Sequence, residues 1–571
     1  MRAWKLAVPA VLSLCVFAVY GHTLGFGFVF DDHEQIVNNP WVADLGESVQ
    51  AFYSHSFGWG EGFVPISYRP MVYLTYAVER AFFGIEPLGW HMVNLAVHSI
   101  NSVILFFLIV RLMPKGAAGE SAINPALPAF AGALLFAIHP VNAETVSWAG
   151  CVPELFYTLL GLSILFLAAA DEDKRAATGP FILYRIAPGV LFFFALLFKE
   201  TAVVILPLVF AHDLIRNGVE GLFTRKRMAR YLPFMAAFIA YLVIRAIVMG
   251  PAIAPAYKLH GFLSGGLFAL NSTVLFSRYL ASLVWPTAVP MQMLDPVLSP
   301  FEPRAVAAFA GIATALIILI LFSRKNRLGF FALAILVLPI LPALYSPAVS
   351  RVPFADRYLY FPAAGLGLFA ALLLGRALSG HIRLKPAALA LIAVIAVPYA
   401  VYGHQRSLFW ENDMVLWGSA LKAQPGNYVA MHSIAKELLE GGKLAEATAL
   451  LERSLEENLS GAHPEKSMEL ITRRALSNAY LKAGEMDKAE GNLLEYLRMA
   501  PEDPSANYNL GLINQRSGRC VDALEYYEKA RLFAVKPALV EDIRLKSDEC
   551  REALGAPEGD RQPPGPPGGG L

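Results

Sequence analysis

Apolar runs of membrane-spanning length, about 17 to 25 residues, alternate with short polar or basic joints along most of the chain, up to the neighbourhood of His404. The pattern predicts eleven spans: 6–24, 90–112, 127–148, 155–170, 186–198, 202–215, 231–249, 305–322, 328–345, 358–378 and 386–402. The fifth and sixth are short and sit back to back, and could be one kinked helix, which would change the parity. Two further apolar stretches, 71–84 and 262–285, carry Glu79 with Arg80 and Asn271 with Arg278. These read as helices at the membrane interface. The first span starts with Arg2 and Lys5 and lacks a small-residue cleavage site, which makes it a retained anchor.

Beyond His404 the period changes to that of charged, amphipathic helices. Gly442 with Ala447, Gly484 with Ala489 and Gly518 with Ala523 align as turn glycine and small residue of successive helical hairpins. The last two units are 34 residues apart, the tetratricopeptide period, and the first gap is 42 because ENLSGAHPEK is inserted. A helix over roughly 538–554 closes the stack. The final stretch, APEGDRQPPGPPGGGL, is too rich in proline and glycine to pack a core and reads as disordered. The fold class is therefore all-α: a polytopic helical membrane region over 1–404, a short tetratricopeptide solenoid over 405–555, and a tail over 556–571.

Composition agrees with that division. Of 571 residues, 56% are hydrophobic and 16% charged, with mean hydropathy +0.48, more apolar sequence than a water-soluble chain of this size buries. The net charge of +1 and the scattered basic residues exclude a nucleic-acid groove. Lysine and arginine gather on one set of joints (Arg2, Lys5, Arg111, Lys115, Lys174, Arg175, Arg185, Arg216, Arg225 to Arg230, Arg324 to Arg327, Arg376, Arg383, Lys385), which marks that side as cytoplasmic. With eleven spans the long first loop, 25–89, and everything after His404 fall on the other side. The expected setting is the inner (plasma) membrane of a bacterium, with the repeats periplasmic. Four cysteines are too few and too dispersed for a metal motif. Cys520 and Cys550 fall at adjoining ends of antiparallel helices, where an oxidising compartment permits a disulfide.

The outer face collects the ionisable groups, which are costly near lipid and mark sites more often than they decorate surfaces. They are Asp31 and Asp32 in FVFDDHEQIVNNP, Arg69 in SYRP, His139 and Glu144 in AIHPVNAETVSW, Lys199 and Glu200 in LLFKE, and Asp356, Arg357 and Tyr358 in FADRYLYFP. Each has a plainer reading. The aspartates suit a helix cap, His139 suits a buried hydrogen bond, and the Lys199–Glu200 and Asp356–Arg357 pairs suit structural ion pairs. His91, Asn94, His98 and Asn101 recur on one face of the second span, as interhelical hydrogen-bond partners do.

In this order, ahead of C-terminal hairpin repeats, those motifs resemble the transmembrane-and-tetratricopeptide O-mannosyltransferases and their bacterial relatives, within the GT-C class of glycosyltransferases. The resemblance spans residues 25–362 and the domain order. It departs in its short repeat array, in Asn142 within HPVNAE, and in Phe30 before the aspartates. It implies transfer of a sugar, mannose foremost, from a polyprenyl-phosphate carrier to an acceptor hydroxyl at the non-cytoplasmic face. Asp31, then Asp32, would be the base. Arg69, Lys199, Arg357, Tyr358 and His139 would hold the donor phosphate, with Glu144, Glu200 and Asp356 orienting the cations. The partners implied are the lipid carrier and an acceptor protein or peptide at the repeats. No dedicated metal cage is evident, although the acidic pair could recruit a divalent ion. The competing reading is a non-catalytic membrane scaffold whose repeats recruit envelope partners. A transporter fits less well, because no half-architecture repeats and the polar groups lie at one face instead of the midplane.

Overall fold

The structure, a computed structural model, describes residues 3–54, 67–113, 125–170, 185–222, 224–249, 265–287, 289–324, 326–348, 353–378, 385–461 and 464–555. The expected tail at 556–571, together with Lys115, Lys174 and Arg175, lies outside them. The described residues form helices without strands. They divide into two compact units, Met1–Ala423 and Gln424–Leu571. The division falls after the composition change at His404, because the helix Lys385–Ser407 runs through that residue.

Among the described residues seven helices are long and apolar enough to cross a membrane: Ala7–Gly25, Pro87–Leu112, Ala149–Ala170, Glu200–Glu220, Met228–Met249, Arg327–Tyr345 and Asp356–Leu378. The pair Ala126–Ile138 and Pro140–Ser147, bent by 43°, makes an eighth if counted as one span. The expected fifth span is limited to the 12-residue helix Ala187–Phe198, whereas the expected eighth and eleventh lie in the helices Pro303–Arg324 and Lys385–Ser407, of 22 and 23 residues. Pro70–Phe83, at 14 residues, is too short to cross.

Two breaks shape the membrane unit. His139 precedes Pro140, whose ring disfavours helical backbone in the residue before it. His139 is accordingly extended (φ −64°, ψ 128°) and ends the helix Ala126–Ile138. Lys199 is also extended (φ −159°, ψ 126°), so the fifth and sixth apolar segments are separate helices with a charged residue at their joint. Each break places polar groups in the buried middle of otherwise apolar sequence.

Small residues set the helix spacing. A Cβ added at Gly132 would lie 2.2 Å from the carbonyl oxygen of Gly367, and one at Gly367 would lie 2.5 Å from that of Gly132. The two helix backbones therefore touch, the close approach that glycine permits between membrane helices. Gly365 meets the backbone of Leu336 and Ala332 in the same way. Gly132→Ala is expected to destabilise the protein by about 1–3 kcal/mol, as overpacking does, and to lower its melting temperature in detergent. Gly311→Ala, where nothing lies within 4 Å, is the matched control and should leave it unchanged.

The second unit is a row of helical hairpins, Tyr428–Glu440 with Leu444–Ser460, Lys466–Ala483 with Met486–Met499, and Pro504–Arg516 with Cys520–Phe533, followed by Pro537–Ala553. The turn glycines Gly442, Gly484 and Gly518 all adopt positive φ, 75°, 79° and 76°, which an L side chain resists. Ala447, Ala489 and Ala523 are fully buried. The start of the insertion, ENLS, lengthens the helix Leu444–Ser460 instead of forming loop. Cys520 and Cys550 are free thiols packed in one small core with Ala523, Tyr527, Ala530 and Ile543.

Candidate active site

Every residue predicted for the site lies in the first compact unit, and all but His139 converge on one cluster. Asp31 and Asp32 occupy the turn after the first span, where a single π turn, His33–Val37, begins. Phe30, just before them, has φ 55°. A bulky side chain in that left-handed region costs on the order of 1–3 kcal/mol and is kept only where the surroundings enforce it.

The two aspartates differ. Asp32 is buried and both its oxygens accept: Oδ1 from the Trp148 indole N–H at 2.8 Å, and Oδ2 from the backbone N–H of Val29 at 3.1 Å. A Cβ at Gly150 would fall 2.6 Å from Asp32 Oδ1, so the carboxylate needs glycine beside it. Burial pushes Asp32 up to about 8, against the pull of those two donors. Asp31 is only partly buried. Its Oδ2 accepts from the Gln35 side chain at a long 3.3 Å, and among the described residues Oδ1 has no hydrogen-bond partner. Burial raises it to about 6, opposed chiefly by the Arg357 guanidinium. Asp31 is therefore the carboxylate with an oxygen to offer.

Arg357, which acts on Asp31, belongs to a group of cations each tied to a carboxylate. The Arg357 guanidinium donates to Glu144 at 2.5 Å and lies 3.8 Å from Glu154. It also stacks over Trp148 and Tyr358, 5.2 Å from each ring centre. Lys199 Nζ donates to Glu154 Oε1 at 2.6 Å and sits 5.0 Å over the Tyr358 ring. Arg69 grips Glu200 in a two-pronged pair, at 2.9 and 2.7 Å. Asp356 holds Arg406, and its backbone N–H donates to Glu144 at 2.9 Å. The breaks at Lys199 and before Pro140 are thus what bring these groups together.

His139 requires a correction. It is fully buried; Nδ1 accepts from the N–H of Val141 at 3.2 Å, and Nε2 lies 3.0 Å from the Leu283 carbonyl oxygen. A carbonyl only accepts, so Nε2 carries the proton and the ring is committed on both sides. It is a strut at the helix break and has no free nitrogen for a phosphate. The second span behaves as expected: Asn94 donates to the carbonyl of Trp148 at 2.9 Å, His98 bridges Tyr360 and Ala137, and Asn101 donates to Leu155 and Tyr360.

Sequence reading gave no site role to Glu154, Arg406 or Trp148, and noted Arg278 only as a polar residue of the interfacial stretch 262–285. Glu154 stands in the first turn of the helix Val152–Ala170 and Arg406 among the polar residues of GHQRS, places where a charge is ordinary. Arg278 differs from the other cations. It bonds the Gln292 side-chain oxygen and lies 4.7 Å over Phe354, partners that are both neutral. Among the described residues no three His, Cys, Asp or Glu side chains gather as a metal cage.

The chain is 26% identical over 440 residues to the protein O-mannosyl-transferase F38B6.6 of Caenorhabditis elegans, covering 75% of this chain and 59% of that protein. The chain is a relative of the protein O-mannosyl-transferases. Mouse TMTC4 is 27% identical, covering 77% of this chain and 64% of its own length. Drosophila melanogaster Tmtc3 is 25% identical, covering 91% and 63%. The chain thus spans about three fifths of the length of these protein O-mannosyl-transferases. No family model matches. Among solved structures, the apo oligosaccharyltransferase of Archaeoglobus fulgidus aligns at 14% identity and TM-score 0.40, over 78% of this chain and 60% of that one.

Proposed function

We propose that this relative of the protein O-mannosyl-transferases is a membrane glycosyltransferase of the GT-C class. It moves a sugar, mannose foremost, from a polyprenyl phosphate to an acceptor hydroxyl at the non-cytoplasmic face of the inner membrane. The observation that carries the reading is Asp31, a partly open carboxylate whose Oδ1 has no hydrogen-bond partner among the described residues and on which the Arg357 guanidinium acts electrostatically.

In this reading Asp31 accepts the proton of the acceptor hydroxyl as its oxygen bonds to the sugar C1. The bond from C1 to the phosphate oxygen breaks, and both electrons leave with the lipid phosphate. Preorganised cations stabilise that developing charge. Arg357 and Lys199 are held in place by Glu144 and Glu154, and Arg357 acts electrostatically on Asp31. Arg278, whose hydrogen-bond and ring partners are neutral, adds a further positive charge. The Tyr358 hydroxyl can donate a further hydrogen bond. Arg69 and Glu200 pair with each other and fix the start of the interfacial helix Pro70–Phe83.

The apolar helices let a lipid carrier approach sideways, and the hairpin unit is suited to hold an extended acceptor peptide. The test is transfer of labelled sugar from a panel of polyprenyl-phosphate sugars by the purified full chain. Product from one donor is the expected result and names the sugar. If no donor supports transfer while the hairpin unit captures one defined envelope protein, the scaffold reading replaces this one.

A further inference from the structure

The turn that carries Asp31 and Asp32 does not hold its shape alone. Phe30 sits at φ 55° without being glycine, and the contacts that fix it come from the far end of the membrane unit. Asp413, buried to 7% exposure, accepts the backbone N–H of Phe30 at 2.9 Å through Oδ1. Its other oxygen lies 2.7 Å from Nε2 of His33. One carboxylate thus grips the residue before the aspartate pair and the residue after it. The Phe30 ring is held between Trp148 and Trp417, 5.6 Å from each, and Gly27 N–H donates to the carbonyl of Glu411 at 3.0 Å. Trp148 is the same side chain that donates to Asp32 and carries Arg357 on its face.

We infer that Asp413 is a positioning residue for sugar transfer, holding the aspartate turn in the strained backbone that aims Asp31 at the acceptor. The inference rests on the proposed role of Asp31. It assigns a task to the short helix Asp413–Ala423, which runs directly into the first hairpin of the second unit in sequence. Asp413 touches neither donor nor acceptor in this scheme and acts through Phe30 and His33. Without it the Phe30 backbone relaxes to negative φ, and Asp31 swings with it. A displacement of about 1 Å in a reacting group is enough to lower a rate on the order of 100-fold.

The experiment compares wild type, Asp413→Ala, Asp413→Asn and Asp31→Asn in the full-length protein, by transfer kinetics and by amide hydrogen exchange of residues 28–36. Asp413→Ala should lower kcat by roughly 10- to 100-fold, leave the donor KM within about twofold, and speed exchange in that segment. Asp413→Asn keeps an oxygen for the Phe30 N–H and should fall between. Wild-type kcat, or unchanged exchange in 28–36, would overturn the assignment. A loss of rate that tracks a lowered melting temperature, with segment exchange no faster than elsewhere, would also overturn it. Full transfer by Asp31→Asn would remove the base and sink the proposed chemistry, while the exchange data still decide whether Asp413 holds the turn.

Discussion

Asp31→Asn is expected to reduce sugar transfer by about 10² to 10⁴, the usual contribution of a positioned base, with little change in donor KM or in folding. Asp31 is partly exposed and its one side-chain partner, Gln35, is 3.3 Å away, so little structure depends on its charge. The same residue sets the pH profile. Burial raises Asp31 to about 6, and it must be ionised to accept a proton. The rate should therefore fall about tenfold per pH unit below 6 and level off above it. Arg357 opposes the rise, so Arg357→Gln should move the acid limb to higher pH as well as lower the rate. Asp32→Asn provides the contrast. Both Asp32 oxygens accept N–H groups, so an amide there must point its NH2 at a donor, and that variant should lose stability along with rate. If the asparagine at 32 abolishes transfer at full stability while the one at 31 does not, the two roles are reversed.

Much of the fold was legible because each element follows a short-range rule. Apolar runs of spanning length and the 34-residue hairpin period need no knowledge of distant residues, and Gly442, Gly484 and Gly518 carry the positive φ that their turns demand. Span counting did less well where a run was apolar but its helix short, as at Ala187–Phe198. Hydropathy measures composition, and Lys199 interrupts the helix without interrupting the apolar stretch. The predicted site residues share one property: they stand out against apolar sequence. That signal singled out Asp31, Arg69, Lys199 and Arg357 as candidates but could not show what each one touches. His139 has the same prominence and turned out to be spent on Val141 and Leu283. Glu154, Arg406 and Asp413 stand near other polar residues or helix ends, where a charge is unremarkable. Their importance comes only from pairing with residues 45, 50 and 380 positions away.

Glu154 carries the second large prediction, because it shows what those pairs do. Lys199 is 3% exposed and Glu154 6%, and Nζ reaches no other carboxylate among the described contacts. Glu154→Gln strands the ammonium against the rings of Tyr157 and Tyr358 and loosens Arg357, whose Nε lies 3.8 Å away. Removing one partner of a buried pair typically costs about 3–5 kcal/mol, so the variant should unfold well below wild type in a detergent melting experiment. Glu154→Gln combined with Lys199→Met removes both charges, and such replacements are often neutral or better. The double variant should recover most of the lost stability. Its transfer activity then separates two roles that a single substitution confounds. If Lys199 binds the donor phosphate, the stable double variant stays inactive. Restored transfer would assign the pair to holding the joint at Lys199 and leave Arg357 and Arg278 to meet the leaving phosphate.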